Sequence, residues 1–201
     1  MTLLDLRGRR LVLASASPRR SELLGSVGLE FDVVPADIDE AQRPGEAPSD
    51  YVARLSREKA AAVVERVGGE AVVVAADTTV DVDGVILEKP LDDADGRRML
   101  SSLSGRTHLV HTGVTVSWSP RTRSAGTATQ VVETQVVETA VRFVELSARA
   151  IDWYLSTGEH LGKAGSYGIQ GAAGAFVERI DGSVTNVIGL PLAETLAMLD
   201  R

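Results

Sequence analysis

The residues best suited to chemistry lie near the start of the chain, in Ser15-Ala16-Ser17-Pro18-Arg19-Arg20. Two hydroxyls and two consecutive arginines stand where a helix is predicted to begin, with Ser17 as its N-cap and Pro18 in its first position. Backbone N–H groups at a helix N-terminus attract anions, and the planar guanidinium of arginine can hold two phosphate oxygens at once. The segment predicts a phosphate-binding loop, although it lacks the glycines and lysine of a Walker A motif. The alternative is an ordinary helix cap beside a solvated arginine pair.

Asp77 is the carboxylate best placed for catalysis. It follows the six apolar residues 71–76, which are typical of a central strand covered on both faces. We expect this strand to end at Ala76 and to present Asp77 at the sheet edge where α/β proteins bind ligands. There the carboxylate would hold a metal or orient a water molecule. The alternative is a carboxylate that caps the following turn.

Glu40 lies in a second acidic segment, together with Asp37 and Asp39. Closely spaced carboxylates are the hard oxygen ligands that magnesium and manganese prefer. A solvated acidic loop is the competing interpretation. Lys59 and Lys89 carry no distinguishing pattern of their own, because most lysines lie at protein surfaces.

A glycine-rich segment, residues 158–174, is predicted to be irregular. Its second part carries Lys163, Tyr167 and Gln170 among four glycines, a composition that lets the backbone approach a ligand closely. Long irregular segments in compact domains are usually functional. The amide of Gln170 is suited to reading a nucleobase edge through hydrogen bonds.

The composition excludes several classes of protein. With 201 residues and 44% hydrophobic content, the chain can bury the core of a single domain, which we expect to form two lobes around a cleft. Cysteine is absent, so disulfides, thiolate metal sites and a cysteine nucleophile are excluded. The net charge of −7 argues against nucleic-acid binding, which requires many cations to neutralise phosphates. The signatures of serine hydrolases and Rossmann dehydrogenases are missing.

The N-terminus resembles a signal peptide only superficially. Arginines at 7, 9 and 10 precede the short apolar run 11–13 and a small-residue sequence at 14–16. Its apolar stretch is far shorter than the roughly 7 to 15 residues that export needs. No run approaches the roughly 18 apolar residues of a membrane span. We therefore expect a soluble, cytoplasmic protein with no membrane partner.

Strands and helices alternate along the chain, which predicts an α/β fold. The predicted strands are 10–14, 31–34, 71–76, 79–82, 85–87, 107–117, 131–144 and 175–180. The predicted helices are 18–27, 49–67, 92–103, 147–156 and one that begins at Pro191. Asp83-Gly84 is a strong signal for a two-residue hairpin turn. His108 and His111 should lie on opposite faces of their strand and so make a poor metal pair.

The stretch between the two longest strands has two unusual features. The polar linker 119–128 is the best candidate for a mobile loop. The pentapeptide at 129–133 is then repeated at 134–138. Because an odd spacing moves side chains to the other face of a strand, the repeat predicts a bulge or a slipped register.

Six segments in order along nearly the whole chain resemble the Maf family of nucleotide pyrophosphatases. They are LASASPRR (13–20), REKA (57–60), ADT (76–78), EKP (88–90), KAGSYGIQG (163–171) and VIGLP (187–191). The resemblance implies a mixed, twisted sheet with flanking helices and two lobes around a substrate cleft. It further implies a homodimer that uses a divalent metal, Mg or Mn, to cleave a nucleoside triphosphate between the α and β phosphates.

The resemblance also assigns roles to individual residues. The catalytic acid of the family falls on Asp77, which would bind the metal together with Glu40. The phosphate-binding lysines fall on Lys59 and Lys89. Ser15 and Arg20 fall on the phosphate loop.

The substrate is implied by three further positions. Arg19, Thr78 and Gln170 match the family branch that acts on dTTP and UTP, so the resemblance implies binding of a pyrimidine triphosphate. Two alternatives stay open, namely broad clearance of noncanonical nucleotides and a nucleotide-binding regulator of septum formation. The chain departs from the family pattern in the segment 118–130 and the adjoining repeat, which leaves the strand register and the dimer surface open.

Overall fold

Seven strands form one mixed sheet in the computed structural model, which describes residue 6 and residues 8–68, 71–118 and 131–200. The strands are β1 (Leu11–Leu13), β2 (Asp32–Val33), β3 (Val72–Val82), β4 (Val85–Leu87), β5 (Thr107–Trp118), β6 (Val131–Phe143) and β7 (Val177–Asp181). Their order is β2-β1-β3-β5-β6-β7, and β4 also pairs with β3. The pairs of β1 with β2 and with β3 are parallel, whereas the other pairs are antiparallel. This arrangement confirms the predicted α/β class.

Six α-helices flank the sheet in the described residues. They are α1 (Pro18–Ser26), α2 (Pro48–Val67), α3 (Asp93–Leu103), α4 (Ala148–Ser156), α5 (Val184–Ile188) and α6 (Leu192–Leu199). Proline occupies the first turn of α1 and α2, and the side chains of Asp92 and Ser147 cap α3 and α4. Four helices were predicted to within two residues, whereas the short helix α5 was missed. Within the described ranges, no helix combines the length and apolar character needed to cross a bilayer.

The sheet contains a gap along one edge of β3. On that edge, β1 pairs with residues 72–74 and β4 pairs with residues 80–82, which leaves residues 75–79 without a strand partner in the described part of the chain. The opposite edge of β3 pairs continuously with β5. The gap therefore separates two lobes that share the long strands β3, β5 and β6.

The predicted end of β3 at Ala76 was wrong. The strand continues to Val82, so Asp77 lies in its middle, opposite Gly113 of β5. Because β5 pairs with one edge of β3 from Val73 to Asp81, the change from apolar to polar side chains does not end the strand. Asp77 nevertheless reaches a cleft, because the other edge of β3 is open at this point. The predicted hairpin at Asp83-Gly84 is confirmed, and both of its turn residues have positive φ.

Separate apolar clusters fill the two lobes. In the first lobe, α1 and α6 pack on one sheet face around residues such as Leu24 and Val114, while α2 covers the other face through Val63. In the second lobe, α3 and α4 pack around Leu100 and Phe143. The prediction of two lobes around a cleft is thus confirmed.

The predicted bulge in the repeated segment was wrong for the described residues. The pairing of β5 with β6 keeps one register from Thr107↔Arg142 to Trp118↔Val131. A register shift occurs instead between β6 and β7, near Phe143. The second copy of the pentapeptide, residues 134–138, lies within regular strand. Each of its residues pairs in turn with residues 115–111 of β5, without an extra residue on either strand. The predicted mobile linker 119–128 and the start of the first copy lie outside the described residues.

Gly113 allows α2 to approach the sheet closely. A Cβ atom at this position would overlap the carbonyl oxygen of Val52 and lie 2.9 Å from the backbone nitrogen of Ala53. Both obstructing groups belong to the helix backbone, which cannot move aside as a flexible side chain could. The close approach of α2 to β5 therefore depends on glycine at this position.

We expect Gly113→Ala to lower the free energy of unfolding by at least about 2 kcal/mol, because overpacking forces the helix away from the sheet. Gly25→Ala is the matched control, since its new Cβ would meet only Phe31 at 4.0 Å and the residue lies within helix α1. The control should be neutral or stabilise the protein by up to about 1 kcal/mol. Chemical denaturation of both variants makes the comparison. Equal stabilities would show that α2 does not depend on this contact.

Candidate active site

The gap in the sheet opens into a cleft of about 960 Å³. This volume lies within the range of ligand-binding pockets. All of the residues that the sequence analysis assigned to a site line this one cleft. They are Ser15, Arg19, Arg20, Glu40, Lys59, Asp77, Thr78, Lys89 and Gln170.

The Lys59 ammonium joins the two carboxylates of the cleft. Its Nζ lies 2.6 Å from Asp77 Oδ1 and 2.6 Å from Glu40 Oε1. The lysine extends from α2 and is only 7% exposed, so its charge requires nearby partners. Asp77 is also buried, whereas Glu40 is partly open to solvent. One buried cation therefore fixes the positions of both carboxylates relative to each other.

Glu40 accepts a second cation, because Lys89 Nζ lies 3.3 Å from its Oε2. Burial alone would raise the pKa of Glu40. The hydrogen bond and charge of Lys59, followed by those of Lys89, outweigh that effect and lower the pKa below its ordinary value. Glu40 is accordingly a carboxylate at neutral pH.

Arg54 holds the loop that carries Glu40. Its Nε and Nη2 donate to the two carboxylate oxygens of Glu46 at 2.6 and 2.8 Å, and Nη2 also donates to the Ala41 carbonyl at 3.1 Å. The Tyr51 hydroxyl donates to the Glu40 carbonyl at 3.0 Å. The sequence analysis did not identify Arg54 or Glu46, because an arginine and a glutamate eight residues apart carry no distinguishing pattern.

Arg20 connects three segments of the first lobe. Its Nε donates to the Gly189 carbonyl at 2.7 Å, Nη1 to Ser15 Oγ at 3.1 Å and Nη2 to Thr78 Oγ1 at 3.0 Å. Arginine carries more N–H donors than these three bonds use, so donors remain for a ligand in the cleft. The guanidinium therefore both braces the loop and lines the site.

The loop 15–17 is held differently from the prediction. Ser17 occupies the N-cap position, but its side chain makes no capping hydrogen bond. Instead, its backbone N–H donates to Ser15 Oγ at 3.2 Å, and the same oxygen accepts from Arg20. The Ser17 side chain therefore does not cap the helix, and the Ser15 hydroxyl braces the loop instead.

The glycine-rich segment forms the far wall of the cleft, and it is more regular than predicted. Two 3₁₀ helices, Ala164–Ser166 and Ala172–Phe176, bracket the turn that carries Gln170. A Cβ atom at Gly168 would lie 2.8 Å from Lys163 Cε, so glycine leaves room for this lysine. Burial, followed by the charge of Arg19, lowers the pKa of the Lys163 ammonium.

Buried polar contacts support the segment from below. The Tyr167 hydroxyl pairs with His108 Nε2 at 2.8 Å, and the Tyr154 hydroxyl accepts from the Gly168 N–H at 3.2 Å. Lys163 Nζ donates to the Glu159 carbonyl. These contacts hold Lys163, Tyr167 and Gly168 in place at the wall of the cleft.

The donor set of the cleft fits a divalent cation that is shared with a phosphate ligand. Glu40 and Asp77 contact the same ammonium, so their hard oxygens lie on one wall. In the described residues, no cluster of three or more His, Cys, Asp or Glu side chains forms a complete metal cage. Magnesium commonly binds through one or two carboxylates, water and substrate phosphates, which is the set available here.

Comparisons with known proteins place the chain in a family. A family model described as Maf-like protein matches residues 10–201. A protein named dTTP/UTP pyrophosphatase from Anaeromyxobacter dehalogenans (strain 2CP-C) is 56% identical over 96% of this chain and 93% of its own length. A protein with the same name from Anaeromyxobacter sp. (strain Fw109-5) is 53% identical over 96% of this chain and 89% of its own length. Another from Hahella chejuensis is 48% identical over 95% of this chain and 91% of its own length.

The Arg54–Glu46 pair predicts an acid-dependent loss of stability. The hydrogen bond from Arg54 lowers the pKa of Glu46 from its ordinary 4.5 to about 2, although burial opposes this effect. Because the folded-state pKa is the lower one, the unfolded chain binds the proton more tightly, and stability falls as the pH drops from about 4.5 to about 2.

Glu46→Gln should remove this contribution. We expect the difference in unfolding free energy between parent and variant to be largest at neutral pH and to shrink over that acid range. Urea denaturation at a series of pH values measures the difference. A pH-independent difference would contradict the assigned role of the Glu46 charge.

Proposed function

This chain belongs to the Maf family, and we propose that it is a nucleoside triphosphate diphosphatase that cleaves dTTP and UTP to the monophosphate and pyrophosphate. The observation that carries the proposal is the buried Lys59 ammonium between Glu40 and Asp77, at the base of a cleft lined by further cations. The names of the relatives support the substrates. Each role given below to a residue is part of the proposal.

The triphosphate binds along the cationic side of the cleft. Ser15 in the loop before α1 and Arg20 in the first turn of α1 hold phosphate oxygens, while Lys59 and Lys89 approach from the opposite side. A triphosphate carries several negative charges that water solvates well, so its transfer into a cleft requires several fixed cations. The same cations stabilise the charge that develops on the leaving pyrophosphate.

Asp77 acts on the attacking water. Lys59 holds Oδ1 of this carboxylate at 2.6 Å, and the Asp77 side chain lines the cleft, so its second oxygen, Oδ2, would accept from the water. As the water oxygen forms a bond to the α-phosphorus, its proton passes to Asp77. The bond between the α-phosphorus and the bridging oxygen then breaks, and pyrophosphate leaves with that oxygen.

Glu40 and Asp77 would hold a divalent Mg or Mn ion jointly with the phosphates. Such an ion supplies charge neutralisation to the phosphate oxygens. Glu40 suits this role because it stays ionised between its two lysines. Lys59 keeps both carboxylates in place before the ligands arrive.

Arg19, Thr78 and Gln170 select the base. Uracil and thymine share an imide edge of carbonyl acceptors and one N–H donor, which a glutamine amide can match with a donor and an acceptor. Arg19 can donate only, so it favours a carbonyl over the amino group of cytosine. Thr78 contributes to base selection without a direct bond to the base, because its hydroxyl already bonds to Arg20 and Thr112.

Pyrophosphate release and substrate selectivity distinguish this proposal from two alternative functions. A nucleotide-binding regulator of septum formation would bind dTTP or UTP without releasing pyrophosphate. An enzyme for broad clearance of noncanonical nucleotides would show similar kcat/KM values for canonical and modified triphosphates. The resemblance further predicts a cytoplasmic homodimer, and light scattering coupled to size-exclusion chromatography tests the dimer.

Asp77→Asn should reduce the rate of pyrophosphate release from UTP on the order of 1,000-fold, because the acceptor for the water proton is removed. Asp81→Asn is the matched control, since Asp81 lies four residues further along the same strand, is similarly buried and is not among the residues that line the cleft. The control should keep the parental turnover, and both variants should remain folded by circular dichroism. Normal turnover in the Asp77 variant would refute the assignment.

Gln170→Ala should flatten the base selectivity. We expect the parent enzyme to favour UTP over CTP by at least about 100-fold in kcat/KM, because cytosine leaves polar groups of the site unpaired. The variant should lose most of this preference, while Gln135→Ala, an exposed glutamine on β6, should retain it. A parent enzyme without selectivity would instead favour the clearance function.

A further inference from the structure

We propose that Thr112 of β5 is a positioning residue that fixes Arg20 through Thr78. The inference rests on the proposed function, because Arg20 is a phosphate-binding residue only there. It concerns a buried hydroxyl that the sequence analysis did not single out. The three side chains come from β5, β3 and α1, so the connection joins the sheet to the phosphate loop.

A continuous series of hydrogen bonds runs from the cleft into the core. Arg20 Nη2 donates to Thr78 Oγ1 at 3.0 Å, and Thr78 Oγ1 lies 2.9 Å from Thr112 Oγ1. Thr112 Oγ1 in turn donates to the backbone carbonyl of Asn186 at 3.0 Å. Both Thr112 and Asn186 are 0% exposed, so bulk solvent does not substitute for the bond between them, whereas the Arg20–Thr78 bond is partly buried.

The direction of each bond follows from counting hydrogens. A carbonyl oxygen cannot donate, so the single hydrogen of the Thr112 hydroxyl points to Asn186. Thr78 has two acceptors within reach, Thr112 Oγ1 at 2.9 Å and the Gly189 carbonyl at 3.4 Å, and the shorter contact assigns its hydrogen to Thr112. The lone pairs of Thr78 Oγ1 are then free to accept from Arg20, whose guanidinium can only donate. Each member of the series therefore specifies the orientation of the next.

The far end of the series is firmly anchored. The Asn186 side-chain amide donates to the Val110 carbonyl and to Thr139 Oγ1, both at 3.0 Å. Asn186 also lies on α5, whose N-cap Ser183 accepts from its backbone N–H. The acceptor that orients Thr112 thus has a fixed position between β5 and β6.

Thr78 has a second, more distant acceptor that competes with Thr112 for its hydrogen. The Gly189 carbonyl lies 3.4 Å from Thr78 Oγ1 and already accepts from Arg20 Nε at 2.7 Å. Without the Thr112 hydroxyl, Thr78 would turn its hydrogen to this carbonyl and compete with Arg20 for it. The guanidinium plane of Arg20 would then no longer be fixed, although the substituted residue does not itself contact the substrate.

Thr112→Val tests the inference, because it removes the hydroxyl and preserves the shape of the side chain. We expect kcat/KM for UTP to fall about tenfold, mainly through a higher KM, as is typical when one buried hydrogen bond is lost. Thr112→Ser restores the hydroxyl and should recover most of the activity. Direct binding of UTP, measured by calorimetry, should weaken by a similar factor.

Thr115→Val is the matched control. Thr115 lies on the same strand, is also 0% exposed, and its hydroxyl pairs with Ser56 and Thr134 at 2.9 Å each, without contact to Arg20 or Thr78. This variant should lose thermal stability like Thr112→Val but keep the parental KM. Equal changes in KM for both valine variants would overturn the inference, since general loosening of the core would explain them.

A double variant separates positioning from a purely structural effect. In an Arg20→Lys background, Thr112→Val should cause little further change in KM, because the group that it positions is already gone. Additive losses would overturn the inference. If the parent enzyme releases no pyrophosphate at all, the proposed function fails, but the same comparisons made with the dissociation constant of UTP still decide the role of Thr112.

Discussion

The Lys59 ammonium is a positive charge held in a poorly solvated position, and its two carboxylate partners come from distant parts of the chain. Charge burial of this kind is unfavourable unless the partners are fixed at short range. Much of the surrounding structure serves that requirement. Gly113 lets α2 lie close enough to β3 for Lys59 to reach Asp77, and Arg54 clamps the loop that presents Glu40. Loss of either support would leave a buried charge without its partner.

The open edge of β3 brings two kinds of chemistry to one cleft. Alternate residues of a strand face opposite sides of the sheet, so Asp77 points towards α2 and Thr78 towards α1. In a fully paired sheet the two would be separated by neighbouring strands. The gap between β1 and β4 lets a single ligand contact groups from both faces. Asp77, Glu40 and Lys59 thus lie on one side of a ligand in the cleft, and Ser15 and Arg20 lie on the other.

The local parts of this architecture were predictable from sequence. The Asp83-Gly84 hairpin, the starts of α3 and α4 and the buried run before Asp77 depend on neighbouring residues only. The order of the family motifs also identified the residues that line the cleft. The continuation of β3 past Ala76 was not predictable in this way, because it depends on pairing with β5, which lies more than 25 residues further along the chain.

The contacts within the site were the least predictable feature. Thr112 and Asn186 are 74 residues apart, and Lys59 and Asp77 are 18 apart, so no sequence period relates them. Ordinary threonine and arginine residues become specific only through the partners that the fold provides. In the proposed reaction, Asp77 held by Lys59 directs water to the α-phosphorus. Hydrolysis of UTP in ¹⁸O-labelled water tests it most directly: mass spectrometry should find the label in the monophosphate, whereas label in the pyrophosphate would contradict the account.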